Sequence, residues 1–183
     1  MRALLPLLFL LALAACAPPL PPGDMVPMTQ VYDQIPANEA LQRNIRLGAV
    51  TVFEHAGGAT APVKPEAYRE AIQNALLTSN MAARAGDQSG FVLDANLLEL
   101  DVPLFGFNMT ASAKARYRLK RTGDGFIVLD ETITLPYTAE FGESLDGNIR
   151  ARLATAKAIR ENITHMIRVL AAKPPAELTG EEE

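Results

Sequence analysis

The segment from Met109 to Lys120 alternates without a fault. Met109, Ala111, Ala113, Ala115, Tyr117 and Leu119 fall on one side, and Thr110, Ser112, Lys114, Arg116, Arg118 and Lys120 on the other. A period of two places successive side chains on opposite faces of a strand, so this chain must build a sheet with one face covered and one in water. Such a strand needs neighbours. Thr122-Gly123-Asp124-Gly125 predicts a hairpin turn into a further strand over residues 126 to 135. Upstream, residues 91 to 102 form a strand whose apolar set changes phase, from Phe91, Leu93, Ala95 and Leu97 to Leu98, Leu100 and Val102. That phase change predicts a bulge at Leu97-Leu98. Residues 45 to 53 are rich in Val, Ile and Leu on both alternating sides, which predicts a first strand with little exposure.

Two segments carry the helical period instead. After Pro65, which suits a first helical turn, Ala67, Tyr68, Ala71, Ile72, Ala75 and Leu76 recur at helical spacing to about residue 81. Residues 148 to 171 form the second helix, with Asp146 as its cap and Ile149, Leu153, Ala156, Ile159, Ile163, Met166, Ile167 and Leu170 as one apolar stripe. Pro174-Pro175 stops it. Each helix has one face to bury. The expected fold is therefore α+β, a two-layer β-α-β-β-β-α sandwich with both helices on one face of a mainly antiparallel four-stranded sheet.

The ends of the 183-residue chain are of other kinds. Residues 1 to 15 have a basic start, a short apolar middle and small residues before Cys16, the order of a cleaved secretory signal. Cys16 is the only cysteine, so it has no disulfide partner within the chain. Leu13-Ala14-Ala15-Cys16 resembles the bacterial lipobox, which implies cleavage before Cys16 and acylation at its sulfur and new amine. Acyl chains that each contribute about 0.8 kcal/mol per buried methylene make a lasting anchor when two or three act together. Ala17, where many Gram-negative lipoproteins kept at the inner membrane carry Asp, points to the periplasmic face of the outer membrane. Six prolines between residues 18 and 36 predict an extended tether over residues 16 to 44. Residues 45 to 171 are then a single domain, and residues 172 to 183 a disordered acidic tail.

The lipobox, the Pro-rich segment and the element order together resemble the small α/β envelope lipoproteins of Gram-negative bacteria, such as the lipopolysaccharide-assembly lipoprotein and the auxiliary lipoproteins of ABC-type lipid-transport systems. The resemblance implies a non-catalytic accessory or assembly subunit in envelope biogenesis or transport, with an envelope protein complex and lipid or lipopolysaccharide as partners. Only Cys16 is carried over from it. A second reading is a periplasmic carrier or sensor that binds an amphipathic small molecule on the open sheet face, near Val50, Val52, Phe126 and Val128.

Charge and chemistry narrow the function further. Residues 45 to 171 hold 14 Lys/Arg and 14 Asp/Glu, so the domain has no general pull toward nucleic acid. His55 and His165 lack partners at metal-ligand spacing, and Ser79, Ser89, Ser112 and Ser144 lie in no nucleophile elbow. The acid pairs Glu99/Asp101 and Asp130/Glu131 suit solvated strand faces. No catalytic residue, metal or cofactor is expected.

Four features stay in play. The stripe Lys114, Arg116, Arg118 and Lys120 is either neutralised by acids on flanking strands, with Asp130 opposite or diagonal to Arg116 or Arg118, or an anionic-ligand surface. The connection holding Leu104, Phe105 and Phe107 is too apolar for a turn, so it either folds back as core or projects toward a partner or membrane. Arg150, Lys157 and Arg168, with Glu161 one turn after Lys157, read as a solvated helix face, with contact to anionic headgroups as the alternative. Glu131 shares strand parity with Ile127, Leu129, Ile133 and Leu135 on the side facing the helices, and this predicts an ion pair with Arg152 or Arg160 on the last helix.

Overall fold

The computed structural model describes residues 17–58 and 60–179. The signal segment, Cys16 and residues 180–183 lie outside the described residues. The elements are α1 (Pro22–Met25), α2 (Thr29–Tyr32), a 3-10 turn at Glu39–Leu41, β1 (Ile45–Val52), α3 (Pro65–Thr78), β2 (Phe91–Asp101), β3 (Met109–Arg121), β4 (Ile127–Ala139), a 3-10 turn at Phe141–Glu143, α4 (Gly147–Ala172) and α5 (Pro175–Thr179). The sheet order is β1-β2-β3-β4. β1 runs parallel to β2 across the α3 crossover, and the other pairs are antiparallel. α4 packs over β3 and β4 and α3 against β1, which gives the expected two-layer α+β sandwich.

Sequence patterns account for most of these elements. In β3 every odd residue from Met109 to Leu119 is buried beneath the helices. The β2 bulge falls where the apolar phase changes, with Leu98 left between Leu97 and Glu99 and 42% exposed. The Asp146 side chain accepts from the Asn148 and Ile149 amides and caps α4. β4 runs on to Ala139 through Pro136, which an edge strand tolerates because its outer side needs no ladder donor.

A second bulge was not legible and changes the reading of β1. Leu47 pairs with Leu93 and Val50 with Ala95, so Gly48 and Ala49 together oppose Asp94. The Asp94 Oδ1 atom accepts from the Ala49 amide at 2.9 Å. A Cβ on Gly48 would lie 2.3 Å from that oxygen, so only glycine fits the close approach. The extra residue carries Val50 and Val52 to the helix-facing side, where they pack against the core. Val128, at the bulge of β4, is buried as well, and the same bulge pairs Ile127 with Lys120 and leaves it 44% exposed, not on the helix-facing side that parity with Leu129 predicts. The apolar floor expected on the open face from Val50, Val52, Phe126 and Val128 therefore does not form. Nor is β1 shielded on both faces: as an edge strand it exposes Arg46, Ala49 and Thr51.

One polar chain crosses the core. Asn162 of α4 donates to the carbonyls of Ala113 and Ile133, both at 2.9 Å, and its Oδ1 accepts from the Tyr117 hydroxyl at 2.9 Å. Tyr117 has thereby used its proton, so the Tyr68 hydroxyl, 2.9 Å away, donates to Tyr117. Burial pushes both phenols above their ordinary range. The run ties α3, β3 and α4 together with every group satisfied.

The expectation of a tether over residues 16 to 44 is corrected for residues 17–44, which form a strap on the helices. Leu20, Met25 and Leu41 are buried, each worth roughly 1.5–3 kcal/mol in removed apolar surface. The Leu20 amide donates to the Pro62 carbonyl at 2.9 Å, Arg152 Nη1 to that of Pro18 at 2.7 Å, and Arg160 Nη2 to that of Asp24 at 2.7 Å. At the far end Asn38 Nδ2 donates to the carbonyls of Leu170, Ala171 and Lys173 and closes the C-terminus of α4. The strap thus follows α4 from its N-terminal half to its end. The first part of the expected disordered tail is also ordered, as α5 buries Leu178.

Candidate interaction surface

Both connections at one end of the sandwich are apolar. The β2–β3 loop leaves Leu104, Phe105 and Phe107 87%, 86% and 81% exposed, so it projects and does not fold back as core. The connection from β4 to α4 adds Phe141, 44% exposed, and Leu145, 82% exposed, and Ile149 in the first turn of α4 is half exposed. Ile149 was expected on the buried stripe. It lies instead on the rim of a groove that Leu20 and Leu153 also line.

These loops are apolar in side chain but firmly held in backbone. Arg150, expected on a solvated face, is only 5% exposed. Its Nη1 donates to the Ser144 carbonyl at 2.5 Å and its Nη2 to the Gly106 carbonyl at 3.1 Å, so one guanidinium bridges both loops. The same group lies 5.0 Å from the centre of the Phe141 ring, which meets Phe107 edge-on at 5.9 Å. Asn108 Oδ1 accepts from the Phe141 amide at 3.1 Å. Gly106 adopts φ +149°, and a Cβ there would press on the Asn108 carbonyl at 2.9 Å. The Glu140 and Glu143 capping box and the Glu143–Lys157 ion pair fix the second loop. The Lys157 hydrogen bond holds the Glu143 carboxyl below its usual range. Lys157 too departs from the solvated row, with the Tyr137 hydroxyl as its other partner. Arg168 and Glu161 are exposed as expected.

The basic stripe is compensated. Lys114 Nζ lies 3.6 Å from Glu99, Arg116 forms a two-pronged pair with Asp130 at 2.6 Å, Arg118 lies 3.8 Å from Asp130, and Lys120 lies 2.6 Å from Asp94. Arg118 and Asp130 face each other across the β3–β4 ladder, as hairpin counting predicts. The Arg116 hydrogen bond holds the Asp130 carboxyl below its usual range. Burial raises the Asp94 carboxyl, but Lys120 and the Ala49 amide lower it more. An anionic ligand would have to displace these carboxylates, so the stripe is the weaker candidate beside the apolar end.

The expected Glu131 ion pair does not form. Glu131 does share the helix-facing side, opposite Tyr117, but on an edge strand it is only half-buried. Arg152 donates to the Pro18 carbonyl of the strap and to the Thr60 carbonyl of the β1–α3 connection, and Arg160 to the Asp24 carbonyl of the strap. His55 is exposed in a turn beside Glu54, and His165 is half-buried on α4. Among the described residues, no three His, Cys, Asp or Glu side chains converge on a metal-sized space, and no helix is long and apolar enough to cross a membrane. Cys16 lies outside the described residues.

Sequence reasoning found the β2–β3 loop by its composition and missed Phe141, Leu145 and Arg150. Phe141 and Leu145 sit singly among acids and glycines, with no period to mark them, and the bridging role of Arg150 depends on two loops meeting in space.

No protein-family model matches the chain, and no curated protein does. Solved structures share its fold. Protein XCC0632 from Xanthomonas campestris, described by the family model DUF330, superposes with a TM-score of 0.53 at 15% identity over 75% of this chain and 90% of that one. A single-substitution variant of the PelC dodecamer from Paraburkholderia phytofirmans gives 0.52 at 14% identity over 76% of this chain and 94% of that one. Lipoprotein GNA1162 from Neisseria meningitidis gives 0.33 at 10% identity over 71% and 99%. The first two establish a shared sandwich topology at a level of identity that transfers no residue roles.

Proposed function

We propose that this chain is a lipid-anchored lipoprotein on the periplasmic face of the outer membrane and serves as a non-catalytic accessory or assembly subunit in envelope biogenesis or transport. The observation that carries the reading is the braced apolar end. Arg150, Asn108 and the Glu140–Glu143 capping box hold in place two loops whose Leu and Phe side chains face water. That arrangement fits a docking surface, because a loop needed only to connect strands gains nothing from exposed aromatics. The lipobox-like Leu13-Ala14-Ala15-Cys16, directly before the strap, supports the anchor. The carrier reading loses its floor with Val50, Val52 and Val128 turned into the core.

Fractionation of the Cys16→Ser variant tests this reading. Release from the membrane fraction with an unchanged circular dichroism spectrum is the expected result. Full membrane retention, with processing insensitive to globomycin, would overturn it. A detergent pull-down of the wild-type chain is then expected to bring down an envelope protein in fixed stoichiometry.

A further inference from the structure

The apolar end and the beginning of the folded chain lie on the same side of the molecule. Arg152 Nη1 holds the Pro18 carbonyl at 2.7 Å, and Arg152 is three residues along α4 from Ile149, a rise of about 4.5 Å. Leu20 and Ile149 line one groove on the flank of α4. In the same first turn of α4, Arg150 grips the Gly106 carbonyl of the β2–β3 loop. The strap then runs away from this end, through Asp24 at Arg160 to Asn38 at Leu170–Lys173. Ala17 follows Cys16 directly, so an acylated Cys16 would enter the lipid only two residues before a carbonyl fixed near the N-terminal end of α4, the end that carries the apolar loops. The packed strap leaves no long tether to hold the domain away.

We infer that Leu104, Phe105, Phe107, Phe141 and Leu145 insert into the leaflet that holds the lipid anchor, so that the sandwich stands on the membrane through its β2–β3 and β4–α4 loops. This deepens the lipoprotein reading and rests on it. The occupant is the lipid surface because the end of the chain delivers the loops to it: a short anchor raises the local concentration of lipid at this end and at no other. Exposed Leu and Phe on a braced backbone suit that boundary, where apolar side chains leave water without having to fold around a partner. The opposite end, with the Thr122–Gly125 turn, then points into the periplasm and remains open to a protein partner.

The test uses the full, lipidated chain in vesicles of phosphatidylethanolamine and phosphatidylglycerol. With the Cys16 sulfur acylated, Leu104→Cys provides the sole free thiol for an environment-sensitive fluorophore, and Gly123→Cys does so at the opposite end, where a Cβ meets nothing. Leu104 is almost fully exposed, so its replacement leaves packing intact. The expected result is a blue shift at position 104 on vesicles and quenching by nitroxide-labelled lipid, with neither at position 123. Aqueous emission at both positions would overturn the inference and leave the lipoprotein reading standing. A blue shift at 104 that persists in vesicle-free solution, with energy transfer between labelled copies, would assign the loops to a second copy and also overturn it. Labelling of Cys16 itself in the membrane fraction would show an unacylated sulfur, which overturns the lipoprotein reading and with it the inference.

Discussion

β3 ends in two loops of opposite construction, and the difference separates what this fold needs from what it adds. At its C-terminal end the turn after Arg121 is tied mainly within itself, with the Thr122 amide donating outside it to the Gly90 carbonyl at 2.8 Å. Asp124 accepts from Arg121 Nε at 3.0 Å and Nη2 at 2.6 Å, its Oδ1 also accepts from the Phe126 amide, and the Arg121 guanidinium covers the Phe126 ring at 5.3 Å. The ring is braced on one side by a neighbour five residues away, although it stays 56% exposed. At the N-terminal end the loop cannot satisfy itself: its Gly106 carbonyl is met by Arg150 on α4, and the Phe141 amide of the second loop by Asn108. Its Leu104 and Phe105 side chains remain in water. The first is a connection. The second is a surface held in position by distant elements.

That contrast can be broken in graded steps. The largest expected effect comes from the strap that brings the chain to the apolar end. Leu20→Ala is expected to cost about 2–3 kcal/mol in urea unfolding and to raise amide exchange over residues 17–28, because it empties a fully enclosed site. Next, Arg150→Ala strands the Gly106 and Ser144 carbonyls and is expected to cost about 2 kcal/mol, with faster amide exchange in both loops. Arg121→Ala, in the turn at the other end, is expected to cost clearly less, since the Asp124 side of its pair is more than half exposed. Equal losses for the two arginines would erase the distinction between the ends.

Acid sharpens it. The Arg121 hydrogen bond, followed by the Phe126 amide, lowers the Asp124 carboxyl to about 2. A carboxyl lowered on folding adds stability that is present above its unfolded value, about 3.9, and is lost as pH falls through the folded value. The Phe126 amide signal is therefore expected to titrate with a midpoint near 2. The Gly106 carbonyl contact, which involves no carboxylate, should persist in the same experiment. A midpoint of about 4, the ordinary aspartate value, would show that the Asp124 contacts are absent in solution.

The legible parts of this fold were those with a period. The β3 alternation, the phase change at Leu97-Leu98, the hairpin turn and the Asp146 cap each leave a local mark, and each fell where expected. The strap left none, because Leu20 and Met25 are buried singly between prolines, Leu41 stands alone after them, and the composition reads as spacer. The Gly48-Ala49 bulge was hidden by a β1 sequence apolar on both sides, so the faces of Val50 and Val52 were assigned wrongly. The Glu131 pairing failed for a different reason: strand parity gave the correct side, but parity does not say that Arg152 and Arg160 will be claimed by strap carbonyls. The same limit explains the site. Composition marked Phe105 and Phe107, whereas Phe141, Leu145 and Arg150 belong to it only through contacts between segments roughly 40 residues apart.

The claim that the apolar end exists for contact and not for folding is met most directly by the melting temperature of the Phe105→Asp variant. A side chain that spends the folded state in water should tolerate the change, with a shift within about 2 °C of wild type. A fall of about 10 °C or more, the size expected when a packed aromatic is lost, would mean that Phe105 is part of the core and that the end is no free surface.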